Sequence, residues 1–116
     1  MKLRTNSGEV YFNPPLISRV HLSPDHSTLT VHFVNGPHFI STAATDEERK
    51  LFAEFLVRVS EEDSAFISDG DEVLNLKSAL WVAISEEGPI QLRSGDNCPH
   101  SLKEEDAQRI RRVMEE

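Results

Sequence analysis

The stretch from Thr45 to Ser60, TDEERKLFAEFLVRVS, leaves a chain of this kind the fewest options. Leu51, Phe52, Phe55, Leu56 and Val59 recur at helical spacing, so all five fall on one stripe of an α-helix. Thr45 and Glu48 have the spacing of a capping box, in which the hydroxyl takes one free N–H and the carboxylate returns the bond. Asp46, Glu47 and Glu48 lie at the positive end of the helix dipole and Arg58 near the negative end. So apolar a face needs a sheet beneath it, and the flanking sequence supplies strands on both sides.

Before the helix, Lys2–Thr5 and Glu9–Asn13 read as a hairpin about Asn6-Ser7-Gly8, stopped by Pro14-Pro15. From Leu16 to Ser23 the alternation sends Leu16, Val20 and Leu22 one way and Ile17, Arg19 and His21 the other. Across a turn at residues 24–27, Leu29, Val31 and Phe33 point inward and Thr30 and His32 outward. That hairpin sets His21 opposite Thr30 and His32 opposite Arg19. Asn35-Gly36 is a hairpin signal ahead of a short strand, His38–Ser41.

After the helix, Ala65–Ser68 and Asp71–Asn75 read as strands about an Asp69-Gly70 turn. In the next stretch Leu80, Val82 and Ile84 share one face, and Trp81 and Ala83 the other. Glu86-Glu87-Gly88 turns into a strand at Pro89–Arg93, and residues 94–100 read as a polar loop. Ser101 and Glu104 have capping-box spacing for a final helix with Leu102, Ile110, Val113 and Met114 inward.

A shift of 62 residues lays Gly8 on Gly70, Asn13 on Asn75, Val20 on Val82, Ser23 on Ser85 and Pro37-His38 on Pro99-His100. The expected architecture is therefore α+β, a tandem duplication of a ββββα unit, with two small antiparallel sheets each covered by a helix. Units of this size are marginal alone, so residues 1–116 are expected to form a single domain, with repeats at 1–60 and 61–116. The element order resembles the single-strand-binding folds of a transcription coactivator family and the plant Whirly proteins, a likeness of order that carries no function. Asn6, Gly8, Asn13-Pro14, Leu16-Ile17 and Asn35-Gly36 give residues 6–36 a pattern that resembles the small flagellar and swarming proteins of the FlbD/SwrD family. That resemblance implies a bacterial protein and transfers no catalytic motif. The family has neither a second copy nor the long helix.

The formal net charge is -8, and residues 1–59 balance, so the whole excess lies in the second half. An acidic chain loses most of the counterion-release gain on meeting a phosphate backbone, so nucleic acid is an unlikely partner on charge alone. A single cysteine excludes an internal disulfide framework. The opening MKLRTNSGEV has no apolar core of a signal peptide, and no apolar run nears the ~20 residues of a membrane helix. A cytoplasmic protein is expected.

Candidate chemistry is sparse. His21, His26, His32, His38 and His100 include no HxxxH pair, and Cys98-Pro99-His100 no CxxC, so no metal site is expected. Residues 69–72, DGDE, lack the EF-hand pattern. Cys98 beside His100 lacks an orienting group, so no catalytic residue and no cofactor are expected. What remains is an outward strand face bearing Arg19, His21, His32, Trp81 and Arg93, with Thr30, Ala83 and Gln91 among them. Exposed Trp and Arg suit a contact hot spot. The expectation is a non-catalytic protein-interaction module, binding a protein partner or itself as a homodimer. Its alternatives are a single-stranded nucleic-acid binder using that face, or a small metal- or thiol-dependent enzyme. A competing reading buries Trp81 against the other half or a second copy.

Overall fold

In the computed structural model, which describes residues 1–5, 7–86 and 88–115, the chain is α+β, with antiparallel sheets and two helices. Asn6 and Glu87, expected in turns, lie outside the described residues. The order is β1 (Lys2–Thr5), β2 (Gly8–Tyr11), a 3-10 turn at Pro14–Leu16, β3 (Ile17–Leu22), β4 (Thr28–Phe33), β5 (His38–Thr42) and α1 (Asp46–Glu62). Then come β6 (Phe66–Asp69), β7 (Glu72–Asn75), a 3-10 turn at Leu76–Ser78, β8 (Trp81–Ala83), β9 (Ile90–Arg93), β10 (Pro99–Leu102), a 3-10 turn at Glu104–Asp106 and α2 (Ala107–Met114).

The described strands form three sheets where two were expected. β1 and β2 pair alone, β5-β4-β3-β7-β6 make a central sheet, and β10-β9-β8 make a third. Among the described residues each half has five strands in place of four, and the halves do not own their sheets. The β6–β7 hairpin of the second half joins β3 of the first, with Val20 opposite Val73. The reason is burial on both faces. Phe66 and Val73 enter one core while Ile67 and Leu74 enter the other, as a two-residue period requires of a strand covered on both sides.

The first core is organised by α1. Phe52, Phe55 and Val59 are fully buried against Leu3, Leu22 and Val31. Phe12 joins them, its ring 5.6 Å from Phe55 and 5.3 Å, edge-on, from Phe39. The cap forms largely as read: Thr45 Oγ1 accepts from the Glu48 N–H at 3.2 Å. The Glu48 carboxylate accepts from the N–H of Ala44, one residue ahead of the cap, at 2.9 Å. At the other end Arg58 donates to the Lys2 carbonyl at 2.8 Å and sits 5.6 Å over the Phe55 ring. The second core joins Leu76, Ile90, Leu92 and Leu102 to Ile110 and Val113 of α2.

Three local readings are corrected. A bulge lies between Ile17 and Arg19, so Ile17 pairs with Phe33 and Arg19 with His32. The extra residue, Ser18, reverses the facing of what precedes it. Ile17 is consequently buried and Leu16 exposed, the opposite of simple alternation. Residues 99–102 form β10 instead of loop and cap, so Ser101 caps nothing, and the Glu104 carboxylate accepts from the Gly88 N–H at 2.9 Å. Met114 is exposed while Ile110 and Val113 are buried. The Asn35-Gly36 turn does form, with both φ angles positive at 78° and 98°, but as part of a three-residue loop: the Phe33 N–H donates to the Pro37 carbonyl and the Gly36 N–H to the Phe33 carbonyl. No described helix is long and apolar enough to cross a membrane.

Phe55→Ala is expected to cost about 3–5 kcal/mol, the usual toll for emptying a phenylalanine site in a closed core. Thr45→Ala should cost about 1 kcal/mol. Urea denaturation followed by far-UV circular dichroism measures both, and equal losses would contradict the assignment of Phe55 to the core.

Candidate functional site

Two groupings of polar residues emerge from these elements, one closed and one open. The closed one lies where the β9–β10 turn meets the central sheet. Arg19 projects from β3 and is held at both ends: Nε donates to Asp96 Oδ2 at 2.9 Å, and Nη1 to Glu72 Oε1 at 3.0 Å. Nη2 lies 3.4 Å from Cys98 Sγ. Ser18, aimed inward by the bulge, brings Oγ within 3.0 Å of the His32 carbonyl oxygen and 3.1 Å of Asp96 Oδ1. The Ser94 hydroxyl donates to Asp96 as well. His32 Nδ1 is 3.7 Å from Asp96, and His100 Nδ1 is 3.2 Å from Glu72 Oε2. His100 Nε2 is buried with no described hydrogen-bond partner.

The turn that delivers Asp96 is itself fixed. The Ser94 N–H donates to the Cys98 carbonyl and the Asn97 N–H to the Ser94 carbonyl, with Asn97 at φ 69°. Gly95 is required by proximity: a Cβ there would stand 2.7 Å from the Ser78 carbonyl oxygen and 3.1 Å from Val34 Cγ1.

These contacts set the charges. Burial acts first to pull the Arg19 pKa down, but the bond and charge of Asp96 outweigh it and raise it. Burial acts to raise Asp96, and hydrogen bonds from Ser94 and Arg19 overturn that and hold its carboxyl well below the usual range. The His100 hydrogen bond lowers Glu72. His32 is lowered by burial and then by the Arg19 charge. The side chains of Arg19, Asp96 and His100 are only 13%, 5% and 8% exposed. Groups so enclosed, each spent on the others, are suited to locking two sheets together. Among the described residues no three His, Cys, Asp or Glu side chains are grouped to hold a metal.

The open grouping is the outer face of the third sheet. Trp81 pairs with Arg93 and Arg93 with Pro99; Ala83 pairs with Gln91 and Gln91 with Ser101. Trp81 is 48% exposed, so the other half of the chain does not bury it. Arg93 Nη1 donates to the Asn97 carbonyl at 3.2 Å.

The five residues expected on one outward face are thus divided. Arg19 and His32 pair across β3 and β4 as read, but the β9–β10 turn covers them. His21 pairs with Thr30 and, on its other side, Glu72. Trp81 and Arg93 share a different sheet. Asp96 and Glu72, which bind Arg19, went unnoticed in the sequence because a loop aspartate and a strand-edge glutamate carry no local signal of a distant guanidinium.

No family model matches the chain, and no curated protein matches it. Among solved structures, the fold is similar to a domain described as the LytTr DNA-binding domain of a methyl-accepting/DNA response regulator from Bacillus cereus. The TM-score is 0.57 at 11% identity, covering 98% of this chain and 94% of that one. At that identity the likeness is one of fold. It overturns the expectations of a protein-interaction module or homodimer and of nucleic acid as an unlikely partner, because the neighbour sharing almost the whole fold is described as binding DNA.

Arg19→Met should cost about 3 kcal/mol or more in urea unfolding, since it strands two carboxylates that are mostly shielded from water. A loss under about 1 kcal/mol would contradict the locking role. The pH dependence has a definite sign. Below pH 6.5 the unfolded chain protonates His32 while the folded chain, with its lowered pKa, resists, so stability falls as pH drops through that window. Glu72 and Asp96, also lowered, add further losses below 4.5 and 3.8 respectively. The melting temperature of the wild type should therefore drop from pH 7.5 to about 5.5 more than that of His32→Gln.

Proposed function

We propose that this chain is a cytoplasmic, non-catalytic DNA-binding domain formed by residues 1–116. The observation that carries the reading is the likeness of fold to a described DNA-binding domain, which extends over 98% of the chain. The charge distribution supports a particular surface. The second half holds the whole acidic excess, yet the strands WVA, IQLR and PHSL of the third sheet contain no Asp or Glu. Their outer face presents Trp81, Gln91 and Arg93 in place of acids. By contrast the β3–β4 and β6–β7 turns, drawn together by the Leu22 N–H donating to the Asp71 carbonyl, carry Asp25, Asp69 and Asp71. A phosphate backbone is repelled there and tolerated on the third sheet.

On this reading Trp81 and Arg93 are contact residues, while Arg19 and His32 hold the contact sheet in place. A tandem duplication also accounts for the order of elements. Both halves run two strands, a 3-10 turn preceded by an asparagine, three strands and a helix, and Asn13 and Asn75 precede the two turns at the same shift of 62 found in the sequence.

Fluorescence anisotropy with labelled DNA of mixed sequence, in single-stranded and duplex form, tests the function. Binding to at least one form is expected at about 50 mM salt and should weaken by about 200 mM. Arg93→Glu should weaken it at least about tenfold at the lower salt, more than a neutral substitution, because it places a negative charge on the contact face. Absence of binding to both forms at low salt would sink the proposal.

A further inference from the structure

The outer face of the third sheet has a composition that distinguishes between forms of DNA. Its two cross-strand rows are Trp81–Arg93–Pro99 and Ala83–Gln91–Ser101. The opposite face of the same strands is committed to the second core through Ile90, Leu92 and Leu102. Adjacent strands lie about 4.8 Å apart and same-face residues about 6.7 Å along a strand, so three strands offer a plate with room for one or two bases. Trp81 stands on β8, an edge strand, and is open on the side away from β9. Two residues along the same strand and face comes Ala83, whose methyl group leaves the indole uncovered. Arg93 is beside Trp81 in register, and its described hydrogen bond goes to the Asn97 carbonyl. No described carboxylate pairs with it, so its charge is available to a phosphate. Gln91, exposed in the next row, offers an amide to a base edge.

In a duplex the base faces are occupied by their stacked neighbours and only the edges are reachable in the grooves. An indole lying on a sheet can meet the face of a base only where that base is unstacked. Resting on the DNA-binding reading above, we infer that this face takes the unpaired bases of single-stranded DNA. Trp81 stacks on a base, Gln91 meets a base edge and Arg93 meets the phosphate backbone. The face satisfies both requirements of such a platform: an aromatic surface, and a positive charge on strands free of acids.

The chain has one tryptophan, so tryptophan emission, excited where tyrosine does not absorb, reports on position 81 alone. Unlabelled single-stranded oligonucleotide of mixed sequence, added to the full chain at low salt, should quench that emission saturably. The matching duplex should bind more weakly. Trp81→Ala should lose between about fivefold and a hundredfold in single-strand affinity, and Trp81→Phe should lose less. Circular dichroism checks that each variant is folded. If the alanine variant is not, the phenylalanine variant and the wild-type quenching decide. Three results overturn the inference while leaving DNA binding intact: a clear preference for duplex, saturated binding with unchanged emission, or wild-type affinity in a folded Trp81→Ala. No binding of either form removes the inference together with the reading beneath it.

Discussion

The guanidinium of Arg19 is an enclosed charged group that joins the second core's turn to the central sheet. It rises from β3, in the sheet that α1 covers, and binds Asp96 on the β9–β10 turn and Glu72 on β7. Neither carboxylate would be tolerated in so enclosed a place without it, and Arg19 itself would be costly there without them. The contact has a second support in Ser18. Its burial depends on the bulge, which turns Ser18 toward Asp96 and leaves Arg19 in register with His32. A regular strand would have placed Ile17 where a polar residue is needed and Leu16 in the core. One inserted residue therefore decides both which side chains fill the first core and which reach across to the second.

This lock explains how a chain with a marginal apolar content keeps two small cores in one structure. The first is dense because α1 supplies two phenylalanines to a patch already lined by Val20, Leu22 and Val31. The second is smaller and depends on the β6–β7 hairpin, which contributes to both. Hydrophobic burial on its own is non-directional and leaves the relative placement of two sheets loosely specified. The guanidinium, donating to two carboxylates at once, adds direction, and Gly95 lets the turn come close enough for Asp96 to reach it. His32 sits in this lock with its pKa lowered by burial and then by the Arg19 charge, so the lock weakens as the pH falls.

What the sequence made legible was local or periodic. The capped helix, the Asn35-Gly36 hairpin and the pairing of His21 with Thr30 and Arg19 with His32 follow from spacing, and all are present. What it hid was nonlocal. The pairing of β7 with β3 joins residues over 50 positions apart, and nothing in either strand names the other. β10 looked like loop because proline, histidine and serine dominate it, yet His100 is accommodated by Glu72 from another sheet. The second capping box failed for the same reason: its serine had been taken by a strand. For the candidate site, the expected grouping is divided between two sheets, since placing Arg19 and Trp81 on a common face assumed two equivalent sheets.

Charge misled in a related way. Net charge is a sum over the chain, whereas a ligand meets one face of it. Acids of the second half collect at the β6–β7 hairpin and on turns, at Asp69, Asp71, Glu86, Glu104 and Glu105, and the strands of the third sheet are spared. A chain-wide excess of acid does weaken the long-range attraction of a polyanion, so association should be slower than for a basic domain of the same size. It does not prevent short-range contact on a face that carries none of that charge. Stacking is also less sensitive to salt than phosphate contact, so a domain that is poor in net positive charge gains proportionally more from an aromatic platform than a basic one does. On the proposed single-strand reading, the exposed indole compensates at close range for what the acidic composition withholds at long range.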